Sequence, residues 1–201
     1  MKTLLTFLFL LIISVGLYAQ IAEDYHRSGQ LKHKLNDYQG AISYFDKAIE
    51  LDPSNGRVYY NRGTVKFELQ DYRGAISDYN KAIELYPKDS DAIYNRGNAK
   101  YYLEDYRGAI LDFNKVIEIN PYDLKAYYNR GNAKFFLEDY RGATVDYSKA
   151  IELDPKHSDA FFSRGVSKYR LNDINGACLD FSKAGELGDP KAYDIIREFC
   201  N

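Results

Sequence analysis

The residues able to do chemistry are few, and their spacing limits what they can do. The chain has three histidines, His26, His33 and His157. His26 and His33 could share a helical face, yet no cysteine or paired carboxylate joins them at ligand spacing and no HExxH run is present. Ser28 near His26 lacks the third group and oxyanion site of a nucleophilic triad. The glycines recur at helix-packing intervals rather than as a phosphate-binding loop. The histidines are therefore expected to be solvated surface groups, and no enzyme activity, metal site or cofactor is expected. What does recur is recognition chemistry. Asn61, Asn95 and Asn129 stand 34 residues apart, and Asn98 and Asn132 form a second ladder at the same step. Beside them run Tyr60, Tyr94, Tyr128 and Phe162, then Phe67, Tyr101, Phe135 and Tyr169. An asparagine amide carries a donor and an acceptor and can match one peptide unit. Aromatic faces beside it can take peptide side chains. The competing use of the same rings is packing between neighbouring units.

Composition narrows the class further. The 201 residues hold 27 Lys+Arg against 29 Asp+Glu, a near-neutral balance that argues against nucleic-acid binding. Two Cys exclude a disulfide-dense miniprotein and a four-cysteine zinc site. Five Pro and 14 Gly are too few for a disordered or collagenous chain. Tyrosine is in excess, with 20 Tyr and no Trp.

The elements that must position these columns are repeated. Gly29, Gly63, Gly97, Gly131 and Gly165 are 34 apart, as are Gly40, Gly74, Gly108, Gly142 and Gly176, each followed by Ala. Asp37, Asp71, Asp105, Asp139 and Asp173 keep the step, and Pro53, Pro87, Pro121 and Pro155 close the first four units. The units are 22–55, 56–89, 90–123, 124–157 and a shorter 158–189. In the third, the spacing predicts helices over 91–103 and 107–119, with Asp105 as N-cap of the second and Pro121 as its stop. Gly97 is expected to face Ala109 and Phe113 across the hairpin. One such hairpin cannot bury its apolar face alone, whereas stacked neighbours share a core. The prolines and the lack of sustained heptads exclude a long coiled coil.

The runs YNRGNAKYYLEDYRGAILDFNKVIEINP and YNRGNAKFFLEDYRGATVDYSKAIELDP resemble tetratricopeptide repeats, and the likeness covers 22–189. Gly97, Ala109, Phe113 and Pro121 sit on the family's defining columns. Tyr25, Tyr59, Tyr127 and Phe161 occupy the column where the family often has Trp, with Ile93 in the third unit. The resemblance implies an all-α, right-handed superhelical solenoid of five antiparallel helix pairs, its first helices lining a concave face. It implies binding of a protein or peptide and no chemistry of its own. The asparagine ladders are similar to those that hold extended peptides in some members. The expected groove is Tyr60, Asn61, Tyr94, Asn95, Asn98, Tyr101, Lys125, Tyr128, Asn129 and Asn132. Only Lys125 with Asn95 fits part of the carboxylate clamp of chaperone-binding members, so such a clamp is not expected. The other reading is a structural scaffold subunit of a cell-envelope assembly that uses convex or edge surfaces.

Other columns are peculiar to this chain. Arg62, Arg96, Arg130 and Arg164 precede a glycine in units two to five, and the same units carry Asp78, Asp112, Asp146 and Asp180. Unit one has Ser28 and Tyr44 instead, so both partners vanish together. Structural Arg–Asp pairs within each repeat are predicted. Lys32, Lys66, Lys100, Lys134 and Lys168 are expected to form a solvated basic edge. Gly188-Asp189-Pro190 reads as helix stop, N-cap and first helical residue, opening a capping helix over 190–201. Cys178 and Cys200 lie nearly equidistant from that turn, so antiparallel helices would place them side by side and a disulfide is predicted. The alternative is two unpaired cysteines, one buried and one at a frayed terminus.

Residues 1–19 read as a secretory signal peptide. Lys2 precedes an apolar run, with small Ala19 before Gln20. The apolar stretch from Leu4 to Ala19 is 16 residues, against about 20 for a spanning helix. Cleavage is expected over anchoring, and membrane association only if the segment stays attached. The mature chain is thus expected to be exported, periplasmic or secreted, from a bacterium.

Overall fold

The structure, a computed structural model, describes residues 2–200, with side chains described from residue 16 onward apart from residue 199. The charged and most of the apolar part of the expected signal peptide lies outside the described side chains. Among the described residues no helix is long and apolar enough to cross a membrane.

The described chain is helical throughout, with no strand. The helices are α1 Lys2–Lys34, α2 Tyr38–Leu51, α3 Gly56–Glu68, α4 Tyr72–Leu85, α5 Ser90–Tyr102, α6 Tyr106–Ile119, α7 Leu124–Phe136, α8 Tyr140–Leu153, α9 Ser158–Arg170, α10 Ile174–Glu186 and α11 Pro190–Phe199. Two compact units divide it, Met1–Ala99 and Lys100–Asn201. In the first, α1 packs on α2, α3 on α4, and α2 on α3. In the second, α7 packs on α8, α9 on α10 and α10 on α11, with α6–α7 and α8–α9 contacts joining successive repeats.

The turn inside each repeat is a fixed device. Asp37, Asp71, Asp105, Asp139 and Asp173 N-cap the second helices, each accepting from the amide of the glycine three residues on at 2.9–3.0 Å. Those glycines are there for the cap: a Cβ at Gly74, Gly108 or Gly142 would lie 2.1 Å from the capping carboxylate. This departs from the sequence expectation that both glycine columns serve helix packing. The residue before each cap is left-handed, at Asn36, Gln70, Glu104, Glu138 and Asn172 with φ of 58° to 63°. That conformation reverses the chain between the helices. In the first four repeats a tyrosine then closes the turn against the ring five residues earlier, as Tyr72 does on Phe67 and Tyr140 on Phe135, and Ile174 takes its place in the fifth.

The other glycine column does serve packing. A Cβ at Gly63 would meet the Tyr79 ring at 2.9 Å, one at Gly131 the Tyr147 ring at 2.7 Å, and one at Gly165 the Phe181 ring at 2.7 Å. The missing Cβ lets each ring lie against the backbone of its partner helix, and Tyr79, Tyr147 and Phe181 are buried there with Ala75, Ala143 and Ala177.

Candidate functional site

The charged columns are internal. Asp146, 1% exposed, accepts from Arg130 Nε at 2.9 Å and Nη2 at 2.5 Å, and from Lys134 Nζ at 2.8 Å. Arg62 and Lys66 hold Asp78 in the same way, as Arg164 and Lys168 hold Asp180. In the remaining repeat Lys100 lies 2.7 Å from Asp112. The predicted Arg–Asp pairs are therefore present in these three repeats. The expected basic edge is corrected for Lys66, Lys100, Lys134 and Lys168, because a buried carboxylate draws each ammonium inward.

The third arginine nitrogen crosses to the preceding repeat. Arg62 Nη1 donates to Asp46, Arg96 Nη1 to Asn80, Arg130 Nη1 to Asn114 and Arg164 Nη1 to Ser148, at 2.5, 2.8, 2.7 and 3.0 Å. The guanidiniums of Arg62, Arg130 and Arg164 also lie over Tyr59, Tyr127 and Phe161 at 5.4–5.7 Å, which is where the tryptophan-column aromatics are used. Burial works against the charge of Arg62, but its bonds to Asp78 and Asp46 more than offset this and hold its pKa above the ordinary arginine value.

In the first unit the candidate groove residues are tied in rungs. Asn95 Nδ2 donates to Tyr60 Oη at 3.1 Å, and Asn61 Nδ2 lies 2.7 Å from His26 Nε2. Both rungs join residues 35 apart, one repeat plus one position. The Tyr60 ring lies 6.0 Å from that of Tyr79, whose phenol donates to Thr64 at 3.4 Å. Burial first, then Asp91 and Asp89, raises the Tyr60 pKa. Tyr60, Asn61, Tyr94, Asn95 and Asn98 are all half-buried.

The histidine expectation is corrected. His26 is 6% exposed and bonded to Asn61, with its Nδ1 buried, without a hydrogen bond, 3.6 Å from Glu23 Oε2. It stands at the repeat position of Tyr60 and makes the same rung. His33 lies 2.8 Å from Glu68, and His157 caps α9 by accepting from the Ala160 amide at 3.2 Å. His157 replaces the Asn55, Asp89 and Asp123 that cap the other first helices.

The second unit carries an apolar version of this face. Tyr128 Oη and Ser163 Oγ are 3.4 Å apart, and Tyr147 Oη donates to Asn132 Oδ1 at 2.8 Å. Asn132, Phe135, Phe136, Tyr147, Phe162, Ser163 and Val166 line an open-topped socket of about 220 Å³. Next to it Tyr106 stacks on Phe136 at 5.1 Å, and Tyr101 packs edge-on against both rings. Burial, then Tyr106, pushes the Tyr101 pKa up to about 12. Asn129 is half-buried and Lys125 exposed. Thr64, Ser163, Phe136 and Val166 join these surfaces without having been singled out by sequence. The sign that finds them is their repeat position beside the ladders.

At the C-terminus Gly188 has φ of 95°, Asp189 caps α11 through the Lys191 amide, and Tyr193 Oη donates to Gly185 O at 2.9 Å. Cys178 and Cys200 form a disulfide with a Cα–Cα distance of 5.7 Å. Among the described residues no cluster of three His, Cys, Asp or Glu is placed to hold a metal ion.

The tetratricopeptide repeat family model matches residues 56–89, 90–123 and 124–157, and a second TPR repeat model matches 29–70. No curated protein matches the chain. Among solved structures it is similar to a MamA protein, at 25% identity over 87% of this chain and 95% of that one, with a TM-score of 0.81. It is similar to MamA from residue 41 onward of Desulfovibrio magneticus RS-1, at 25% identity over 83% and 94% with a TM-score of 0.80. It is also similar to YrrB, a TPR protein with an unusual peptide-binding site, at 25% identity over 87% and 90% with a TM-score of 0.78.

Proposed function

Because the chain belongs to the tetratricopeptide repeat family, we propose that it is a non-catalytic interaction protein that binds a peptide or protein segment along its first-helix faces, outside the cytoplasm. The observation that carries this reading is the Asn95–Tyr60 rung. It sets an amide and a phenol, half-buried, on a face whose neighbouring Arg and Lys side chains are committed to carboxylates. An extended peptide can exchange hydrogen bonds with such rungs at little cost, because each broken rung bond is replaced by one to the ligand. YrrB, similar in fold, is itself described by a peptide-binding site. The groove members are Tyr60, Asn61, Tyr94, Asn95 and Asn98 in the first unit, and Tyr101, Lys125, Tyr128, Asn129 and Asn132 in the second. The test is capture of the native partner from the envelope fraction by wild-type protein and by Asn95→Ala/Asn129→Ala. Loss of capture by the double variant supports the groove, and undiminished capture refutes it.

A second reading has one observation in its favour. Leu111, Val145 and Leu179 occupy one repeat position on the second helices and are 68%, 67% and 73% exposed, where the first two repeats have Ser43 and Ser77. An exposed apolar column of this kind suits a scaffold that docks through its second helices. Replacing all three by serine and losing the partner would favour it. Export rests on residues 1–19, and N-terminal sequencing of protein purified from the envelope tests it, with Gln20 expected as the first residue.

A further inference from the structure

We infer that the socket between α7 and α9 is a specificity pocket for one large apolar side chain of an uncharged, extended peptide segment. This rests on the reading that the first-helix faces bind peptide, and adds what the peptide must carry.

The repeat offers an internal comparison. Counting back three repeats, the socket positions Phe135, Phe136, Phe162, Ser163 and Val166 correspond to His33, Lys34, Tyr60, Asn61 and Thr64. At that place in the first unit His33 is paired with Glu68, Asn61 bonds His26, and Thr64 accepts from Tyr79. The same fold element is thus polar and internally satisfied in one unit, and in the other is a hollow of about 220 Å³ walled by rings and a valine. Packing alone does not ask for this difference, since both units close their hairpins with the same glycine–ring contact, at Gly29 on Phe45 and Gly131 on Tyr147.

The occupant follows from size, charge and donors. The hollow is smaller than the roughly 300–1,000 Å³ of sites that enclose a whole small ligand, and fits a side chain entering from the open face. No charged residue lines it. Four cations of the flanking repeats are committed, Arg130 and Lys134 to Asp146, and Arg164 and Lys168 to Asp180, while Lys125 and Arg170 stand exposed outside the lining. An acidic side chain or a terminal carboxylate would lose its water here and gain no counter-ion. The polar edge is neutral and oriented. Tyr147 Oη donates to Asn132 Oδ1, so Asn132 presents Nδ2 as a donor, and Ser163 carries a hydroxyl 3.4 Å from Tyr128 Oη that also interacts with Tyr147. A neutral donor beside an apolar floor matches a backbone carbonyl adjoining an apolar side chain.

The experiment uses the full oxidised chain, labelled so that the Val166 methyls and the Asn61, Asn95 and Asn132 side-chain amides are assigned by NMR. It is titrated with acetyl-Gly-Ser-X-Ser-Gly-amide, where X is Phe, Ala, Glu or Lys. The expected result is that the Phe peptide moves Val166 and Asn132 with an affinity at least about tenfold above the other three. Asn132→Asp keeps an oxygen for Tyr147 but places a charge at the rim, and should reduce Phe-peptide affinity about tenfold. Equal or tighter binding of the Glu or Lys peptide overturns the proposal, as does unchanged Phe-peptide affinity in Asn132→Asp. Shifts confined to Asn61 and Asn95, with Val166 unmoved, overturn the socket while peptide binding by the first helices stands. No shift with any of the four peptides overturns the socket, and partner capture by Asn95→Ala/Asn129→Ala then decides the broader reading independently.

Discussion

Asn61 Nδ2 lies 2.7 Å from His26 Nε2, and Asn95 Nδ2 lies 3.1 Å from Tyr60 Oη, so one rung is built from two different ring types. The rung, rather than either ladder alone, is the unit of this face. Tyr60→Phe keeps the packing and removes one hydrogen bond, and should lower stability by about 1 kcal/mol. Urea denaturation checks this, with Tyr60→Leu as the packing control.

The buried ion pairs should be costly to break from one side. Arg130→Ala leaves Asp146 buried with only Lys134 and should destabilise by about 3–5 kcal/mol. Lys149→Ala, which removes an exposed pair with Glu152, should change stability by less than about 1 kcal/mol. A ratio near one between the two losses would show that the internal pair is not what holds the helices.

The left-handed residue before each cap is a place to gain stability. Glu138 has φ of 62°, a conformation that costs a non-glycine residue about 1–2 kcal/mol. Glu138→Gly should raise the thermal midpoint, and Glu104→Gly should do likewise. Gly142→Ala should lower it, since the new Cβ would collide with Asp139.

Alkaline pH should unfold the chain through its buried phenols. Tyr101 is pushed up to about 12, and burial also raises Tyr60, Tyr79 and Tyr147. The ordinary tyrosine value is about 10. Above that pH the unfolded chain releases protons that the folded chain keeps, so ν_U falls below ν_N and stability declines as pH rises. The stability is therefore full below pH 10 and is lost towards pH 12. Phenolate absorbance should rise in two stages, the second coinciding with loss of helical circular dichroism.

Reducing the Cys178–Cys200 bond should release the terminal helix first. The bond closes a separation of 22 residues, worth roughly 3 kcal/mol on a loop-entropy basis. Hydrogen exchange after reduction should quicken over 190–199 before any change at α8.

The fold was legible because the repeat writes its structural demands four or five times. The Arg–Asp pairs could be read because unit one loses both partners at once, with Ser28 and Tyr44 in their places. The lysine column could not be read. A cation one turn from an arginine looks solvated until the shared target, Asp78 or Asp146, is known to be buried. His26 was misread for a related reason. As an isolated histidine it suggests surface, but aligned with Tyr60 it occupies a ring position that bonds the next repeat. The second glycine column hid its purpose because helix packing and an N-cap both ask for a missing Cβ, and only the distance to Asp105 or Asp139 separates them. The rungs are not legible in columns, because each joins an asparagine to the ring column of the preceding repeat at a one-residue offset.

The arginine bridges carry a direction. Their acceptors in the preceding repeat run from Asp46 through Asn80 and Asn114 to Ser148 along the chain. A carboxylate gives way to amides and then to a hydroxyl, so the bolt between neighbours weakens towards the C-terminus. Under pulling force the chain would then peel from that end, one hairpin at a time. The covalent clasp between α10 and α11 lies beyond the last bolt, so oxidised sulfur keeps the terminal helix on its repeat and makes the two leave together.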